Sequence, residues 1–323
     1  MSSPSEKILV TGGAGFIGSH LCEALVAEGA QVVVIDDFND YYDPAVKEQH
    51  LAGIRDQITV VRGDIRDVAL VDSLFEEHRF DKVFHLAGRA GVRPSIVDPR
   101  LYISTNIDGT LNLLEGCRKT GVKSFIFASS SSVYGMNEKV PFAEDDLIQR
   151  TISPYAATKL AGEQLCSNYS HLFGIRCVCL RFFTVYGPRQ RADLAISKFT
   201  HKILSGEPID QYGDGRSARD YTFVEDIISG VMAAGRYTAT DFEIINLGGS
   251  AANTLSQLIS AIEEILGKKA EIRYLPDQPG DVPLTYADVS KAHRLLGYEP
   301  RTPLLKGLER YVHWVQTEEQ PIH

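Results

Sequence analysis

Tyr155 and Lys159 stand four residues apart in a stretch with helical periodicity, so their side chains leave one face a turn apart. An ammonium beside a phenol favours the phenolate and lowers its pKa from about 10. Tyr155 is therefore a candidate general base near neutral pH. Ser130 lies 25 residues upstream, just past an apolar run that reads as a strand. Sites on parallel sheets form at the carboxyl ends of strands, so Ser130 can reach the same point and hydrogen-bond the oxygen that loses its proton. A lone Tyr-x-x-x-Lys occurs by chance on surface helices. It gains weight here because a glycine-rich loop and a serine cluster precede it in order.

That loop is Thr11–Gly18, with the spacing Gly12-x-x-Gly15-x-x-Gly18. Gly12 permits a tight turn, Gly15 lets backbone approach a pyrophosphate at a helix N-terminus, and Gly18 lets the helix pack on the sheet. A strand precedes it, a helix follows, and a second strand ends in Asp36, 18 residues after Gly18. A carboxylate there accepts a ribose 2′-OH and repels a 2′-phosphate, so the expected cofactor is NAD rather than NADP. Asp37 follows and no arginine is adjacent. Asp64-Ile65, after the third strand, suits an adenine contact. Leu86-Ala87-Gly88 ends the fourth strand with small residues that allow close approach.

The elements that must position these groups alternate. Strands are predicted at Lys7–Thr11, Gln31–Asp36, Ile58–Arg62, Lys82–His85, Ser124–Ser129 and Arg176–Arg181. Helices are predicted at Phe16–Glu28, Val68–His78, Leu101–Thr120, which stops at Gly121, and Tyr155–Phe173. The pattern predicts an α/β fold, a Rossmann-type doubly wound parallel sheet with a smaller C-terminal α/β substrate lobe. After Pro188 the elements shorten and Gly and Pro become frequent, while Phe242–Leu247 can rejoin the large sheet. The expected division is residues 1–187 as NAD-binding domain, with 220–250 rejoining it, and 188–219 and 251–323 as the substrate lobe.

Composition narrows the function classes. In 323 residues with 44% hydrophobic content, a sizeable core can form. A net charge of −9 argues against a nucleic-acid partner. Cys22, Cys117, Cys166, Cys177 and Cys179 have no zinc or framework spacing, so no metal site is expected and a reducing cytoplasm is. Met1–Lys7 does not read as a signal peptide, and no apolar run reaches membrane-spanning length.

Taken together, Thr11–Gly18, Asp64-Ile65, the His85–Gly88 run, the Ser129–Gly135 cluster and Tyr155–Lys159 resemble the extended short-chain dehydrogenases/reductases, in their NAD-dependent sugar-nucleotide epimerase/dehydratase group. Gly88 stands where alanine is more usual. The resemblance gives His85 no chemical role. It adds Phe16, Ile17, Asn106 and Val185, with Tyr155 and Lys159 themselves, to the cofactor contacts, and it implies a homodimer through Leu101–Thr120 and Tyr155–Phe173. It also implies a UDP-sugar substrate, with Arg219 on the diphosphate, Tyr212 beside the uracil and Asp281 on the nucleotide. Gln278 replaces an arginine often found just before that Pro-Gly-Asp.

Dehydratases of the group carry an Asp-Glu pair where this chain has Ser130-Ser131-Ser132, and decarboxylases carry a Glu at the position of Ser132. The stretch Arg181–Arg191, Asp36–Asp43 and Gly91-Val92-Arg93 resemble the UDP-glucuronate 4-epimerase branch. A hexuronate carboxylate needs a cation and hydroxyl donors, which Arg191, Thr184, Ser131 and Ser132 can supply, with Arg93 as a further anion contact. The expected activity is C4 epimerisation of a UDP-hexuronic acid. The alternatives are a UDP-glucose or UDP-N-acetylglucosamine 4-epimerase, a sugar-nucleotide decarboxylase, a simple dehydrogenase, and a non-catalytic NAD-binding module.

Overall fold

A computed structural model describes residues 5–276 and 284–318. Its central sheet contains β1 (Lys7–Thr11), β2 (Gln31–Asp36), β3 (Ile58–Arg62), β4 (Lys82–His85), β5 (Ser124–Ser130), β6 (Arg176–Phe182) and a later strand, Phe242–Leu247. The order from one edge is β3, β2, β1, β4, β5, β6, then Phe242–Leu247, and all pairings are parallel. The order reverses between β1 and β4, which opens a crevice at the carboxyl ends of the strands. The strands are nearly continuous apolar runs because helices cover both faces. One core lies on each side: Ile8, Val10, Val34 and Phe84 belong to one, and Leu9, Val33, Val83 and Phe125 to the other.

The helices of the first half are α1 (Phe16–Ala27), α2 (Pro44–Leu51), α3 (Val68–His78), α4 (Val92–Val97), α5 (Pro99–Ile103), α6 (Gly109–Thr120) and α7 (Pro154–Phe173). The α7 start is locally encoded: the Ser153 hydroxyl accepts a bond from the Ala156 N–H, and Pro154 occupies the first turn. Gly174 and Gly121 end α7 and α6 in the left-handed region. The helix predicted over Leu101–Thr120 starts earlier, at Pro99 behind an Asp98 cap. It is interrupted by a π-helical turn at Ser104–Asp108. Asn106 sits in that wide turn and reaches out to Arg89 and Thr158.

After β6 the chain builds two small sheets. Thr184–Tyr186, Ala252–Thr254 and Leu284–Thr285 pair with Ala218–Phe223, and Ile209–Tyr212 pairs with Ile272–Leu275. All five cysteines are buried and free, and Cys177 and Cys179 share a core face with Cys166. Among the described residues no helix is long and apolar enough to cross a membrane.

Candidate active site

The crevice between β1 and β4 is a cleft of about 440 Å³, within the size range of small-molecule sites. Its floor is the glycine loop. Gly12 has φ +69°, and a side chain there would press on the backbone of Ala87, 2.7 Å from its nitrogen. A Cβ on Gly18 would collide with the Gly12 carbonyl oxygen, so Gly18 protects the turn itself as well as helix packing. Gly15, Phe16 and Ile17 also line the cleft. A turn this crowded leaves the N-terminus of α1 bare, as a bound pyrophosphate requires.

Asp36 lies at the end of β2 and is buried. Its Oδ1 accepts from Lys47 Nζ at 2.9 Å and Phe38 N at 3.0 Å, and its Oδ2 accepts from Ala14 N at 3.2 Å. A carboxylate offers about four acceptor positions, so room remains for a ribose hydroxyl. Lys47 is the neighbour that sequence reasoning missed. It comes from α2, across a loop with no periodicity to announce it. Asp64 and Ile65 line the same end. Burial works against the charge on Asp64, but hydrogen bonds from Arg66 outweigh it and hold the carboxyl below the ordinary range. Leu86, Ala87, Gly88 and Val185 complete the wall. Asn106 stands behind it. Its Oδ1 accepts from Arg89 N at 2.7 Å and its Nδ2 donates to Arg89 O at 3.0 Å, so it supports the wall where direct contact was expected. These features fit a dinucleotide: a bare helix terminus, a carboxylate for the ribose and small residues beside the nicotinamide end.

At that end β5 and α7 converge. Ser130, the last residue of β5, lines the cleft with Tyr155 and favours its phenolate form. Its Oγ lies 3.1 Å from Ser132 Oγ, and a short helical turn from Ser131 to Tyr134 brings all three serines to the cleft. Lys159 is also at the cleft, but its ammonium donates to the Ala128 carbonyl at 2.8 Å and lies 5.1 Å from the Phe127 ring centre. Burial lowers its pKa to about 8. Burial is also the largest influence on Tyr155 and pushes the phenol above the ordinary tyrosine range. The Ser130 hydrogen bond and the charge of Arg191 pull it down. In this arrangement Lys159 is turned to the Ala128 carbonyl, and Arg191 is a cation that pulls on the phenol. His85 is a neutral strut: burial lowers its pKa to about 3, and its two nitrogens meet Thr11 and Thr110 hydroxyls at 2.7 and 2.9 Å.

Thr184 and Arg191 line the same cleft as the serines. Arg191 Nε and Nη2 donate to Asp193 Oδ1 and Oδ2 at 2.8 and 2.9 Å. Its guanidinium lies 5.5 Å from the centre of the Tyr41 ring, and Tyr41 Oη donates to Asp193 Oδ2 at 3.3 Å. The loop leading to Arg191 is fastened to α1. The His20 ring nitrogen Nε2 lies 3.0 Å from the Pro188 carbonyl, and Arg189 bonds Ser19 and Glu23. Tyr41, Asp193 and Arg89 were not foreseen, since each reaches the site from a loop.

Arg93, Tyr212 and Arg219 are not among the residues that line this cavity. Arg93, on α4, places its guanidinium 5.4 Å from the centre of the Tyr212 ring. Arg219 lies on Ala218–Phe223, beside Thr285 and Asn253, with Nη1 donating to the Ala218 carbonyl at 3.0 Å. Asp281 and Gln278 lie outside the described residues.

A family model for GDP-mannose 4,6-dehydratase matches residues 9–311. UDP-glucuronate 4-epimerase 3 of Arabidopsis thaliana is 42% identical, over 95% of this chain and 76% of that protein. UDP-glucuronic acid 4-epimerase from Bacillus cereus, solved with UDP-glucuronic acid and NAD, superposes with a TM-score of 0.89. It is 40% identical, covering 96% of this chain and 99% of that one. UDP-glucose 4-epimerase of Thermotoga maritima, solved with UDP-glucose, superposes at 0.90 with 35% identity over 96% and 98% of the two chains.

Proposed function

From the premise that this chain belongs to the GDP-mannose 4,6-dehydratase family of NAD-dependent sugar-nucleotide enzymes, we propose that it interconverts UDP-glucuronate and UDP-galacturonate at C4. The observation that carries the hexuronate reading is Arg191, which lines the cleft with Thr184 and the three serines and acts electrostatically on Tyr155. The family relatives that carry this activity by name support it.

The glycine loop and Asp36 would hold NAD, which would supply a reversible hydride acceptor for C4 of the sugar. Tyr155 takes the proton from O4 as the 4-keto sugar forms and gives it back on return. Ser130 bonds the phenol and holds it toward O4. Lys159 shares that face of α7. Its lowered pKa makes its charge responsive to what enters the cleft. Ser131, Ser132, Thr184 and Arg191 hold the C6 carboxylate. Oxidised at C4, a glucuronate is a β-keto acid. It loses CO2 most readily when the C5–C6 bond stands perpendicular to the carbonyl plane, so a fixed carboxylate protects the intermediate. Gly12, Gly15, Phe16, Ile17, Asp36, Asp64, Ile65, Leu86, Ala87, Gly88 and Val185 are the cofactor contacts of this reading, with Asn106 supporting them. Arg93, Tyr212, Arg219 and Asp281 serve the UDP group.

The same reading gives residues 1–187 and 220–250 to the NAD-binding half and 188–219 and 251–323 to the UDP-sugar lobe. The pairing of Phe242–Leu247 with β6 supports that division. A homodimer is part of the proposal. The exposed apolar side chains of Ile103 and Leu111 on α5 and α6, and of Leu172 and Phe173 at the end of α7, support it. Five free cysteines support a reducing, cytoplasmic setting.

Incubation with UDP-glucuronate followed by anion-exchange chromatography is expected to yield UDP-galacturonate. Turnover of UDP-glucose without any of UDP-glucuronate would sink the substrate reading. A neutral-sugar 4-epimerase is the second reading, favoured by one observation: Asp193 already neutralises Arg191. Arg191→Ala separates the two. It is expected to lower kcat/KM for UDP-glucuronate by about 10- to 100-fold, the worth of a charged hydrogen bond, and to spare UDP-glucose.

A further inference from the structure

A guanidinium has five N–H donors arranged as two forks, one along Nε and Nη2 and one at the tip between Nη1 and Nη2. In this protein the first fork of Arg191 is filled by both oxygens of Asp193. The pair is well formed and lies at the mouth of the cleft, with 20% of the Arg191 side chain and 41% of the Asp193 side chain exposed. A second contact fixes the carboxylate in turn, since Tyr41 Oη donates to Asp193 Oδ2. Tyr41 belongs to the loop that begins at Asp36 and is held there by the turns around Asp37 and Asn39. The same ring lies beside the Arg191 guanidinium. Arg191 is thus bracketed from its side, and only its tip fork is left to meet an anion.

We propose that Asp193, steadied by Tyr41, is a positioning residue that sets the plane in which Arg191 presents its tip fork, and that this plane decides whether the 4-keto hexuronate is reduced or loses CO2. The inference rests on the hexuronate reading above. A carboxylate bound to a fixed fork cannot carry the C5–C6 bond into the perpendicular orientation. Once the side fork is released, Arg191 can follow the carboxylate there. The C5–C6 electron pair then flows into the C4 carbonyl, CO2 departs, and C5 takes a proton from solvent to give a UDP-4-keto-pentose. The hydride taken from C4 stays behind, so one reduced cofactor accumulates for each CO2 released. No further oxidant is needed.

The experiment follows UDP-galacturonate, UDP-4-keto-pentose and the fluorescence of the reduced nicotinamide for wild type, Asp193→Asn, Asp193→Glu and Tyr41→Phe. Asp193→Asn is expected to raise the ratio of decarboxylated to epimerised product about tenfold, the effect of losing one charged hydrogen bond. Tyr41→Phe is expected to move the ratio the same way by a smaller factor. Asp193→Glu, which keeps the charge, should fall between wild type and Asp193→Asn. A role confined to folding would lower both products together and leave the ratio unchanged, and that result overturns the proposal. If Asp193→Asn does not fold, an unchanged ratio in Tyr41→Phe overturns it equally. A wild type that forms UDP-galacturonate while the ratios stay fixed overturns only the bracket. A wild type that turns over UDP-glucose and leaves UDP-glucuronate untouched overturns the substrate reading as well.

Discussion

Tyr155→Phe is expected to fold, to retain NAD, and to lose roughly 10²- to 10⁴-fold in kcat, the usual contribution of a positioned acid-base group. The variant removes one oxygen and nothing else. The ring keeps its edge-on contact with Tyr102, 6.2 Å between centres, so packing of α7 is preserved. What disappears is the phenol oxygen on which Ser130 acts, the proposed acceptor of the O4 proton. Single-turnover measurement of nicotinamide reduction isolates the step, because the first hydride transfer needs that proton removed. Turnover within tenfold of wild type would mean that another base serves the site. Circular dichroism and the retained cofactor separate a chemical loss from a folding loss.

Glu163→Gln is expected to cost about 3–5 kcal/mol of stability, the effect of leaving one member of a buried ion pair without its partner. Tyr155, Lys159 and Glu163 recur every four residues along α7, so they form one stripe facing β5 and β6. Glu163 is fully buried. Its oxygens receive Arg181 Nε at 2.9 Å, Arg181 Nη2 at 2.8 Å and Ser129 Oγ at 2.6 Å. Glutamine has the shape but not the charge, which strands the Arg181 cation in the core. Denaturant titration of the two proteins measures the loss, and a difference below about 1 kcal/mol would contradict it. Replacing both partners, as Glu163→Gln with Arg181→Met, should recover much of the stability, because a buried pair costs desolvation that apolar residues avoid. Burial already holds Lys159 down to about 8 against the pull of Glu163. Removing the carboxylate should lower it further, so the variant's Lys159 loses its proton at a lower pH.

The parts of this molecule written in periodicities were legible from the sequence. The six predicted strands through Arg176–Arg181 form, each within a residue of its expected limits, because alternating helices and apolar runs have lengths that only a covered parallel sheet satisfies. Gly121 and Gly174 mark helix ends because the left-handed conformation there suits glycine. The glycine loop, Asp36 and the serine–tyrosine–lysine set meet at one crevice because strand order alone brings them there. The contacts made by loops were not legible. Lys47 on Asp36, and Tyr41 with Asp193 on Arg191, depend on where irregular backbone returns, and no spacing records that. The direction of the Lys159 side chain was missed for another reason. Helical spacing sets the face from which a side chain leaves but not which acceptor a long flexible chain chooses, and here it chooses the Ala128 carbonyl.

The loop that carries Arg191 is tied at Pro188 and Arg189 to the helix that follows the glycine turn, and at Asp193 to the loop that follows Asp36. Two stretches far apart in the chain therefore travel as one module. A protein engineer who transplants residues 187–193 into a relative to change its sugar preference should move residues 37–43 with them, and should match Ser19, His20 and Glu23 as well. Grafted alone, the arginine would arrive without its mounting. The same linkage implies that substitutions in these two stretches compensate one another, so a variant library should randomise them jointly.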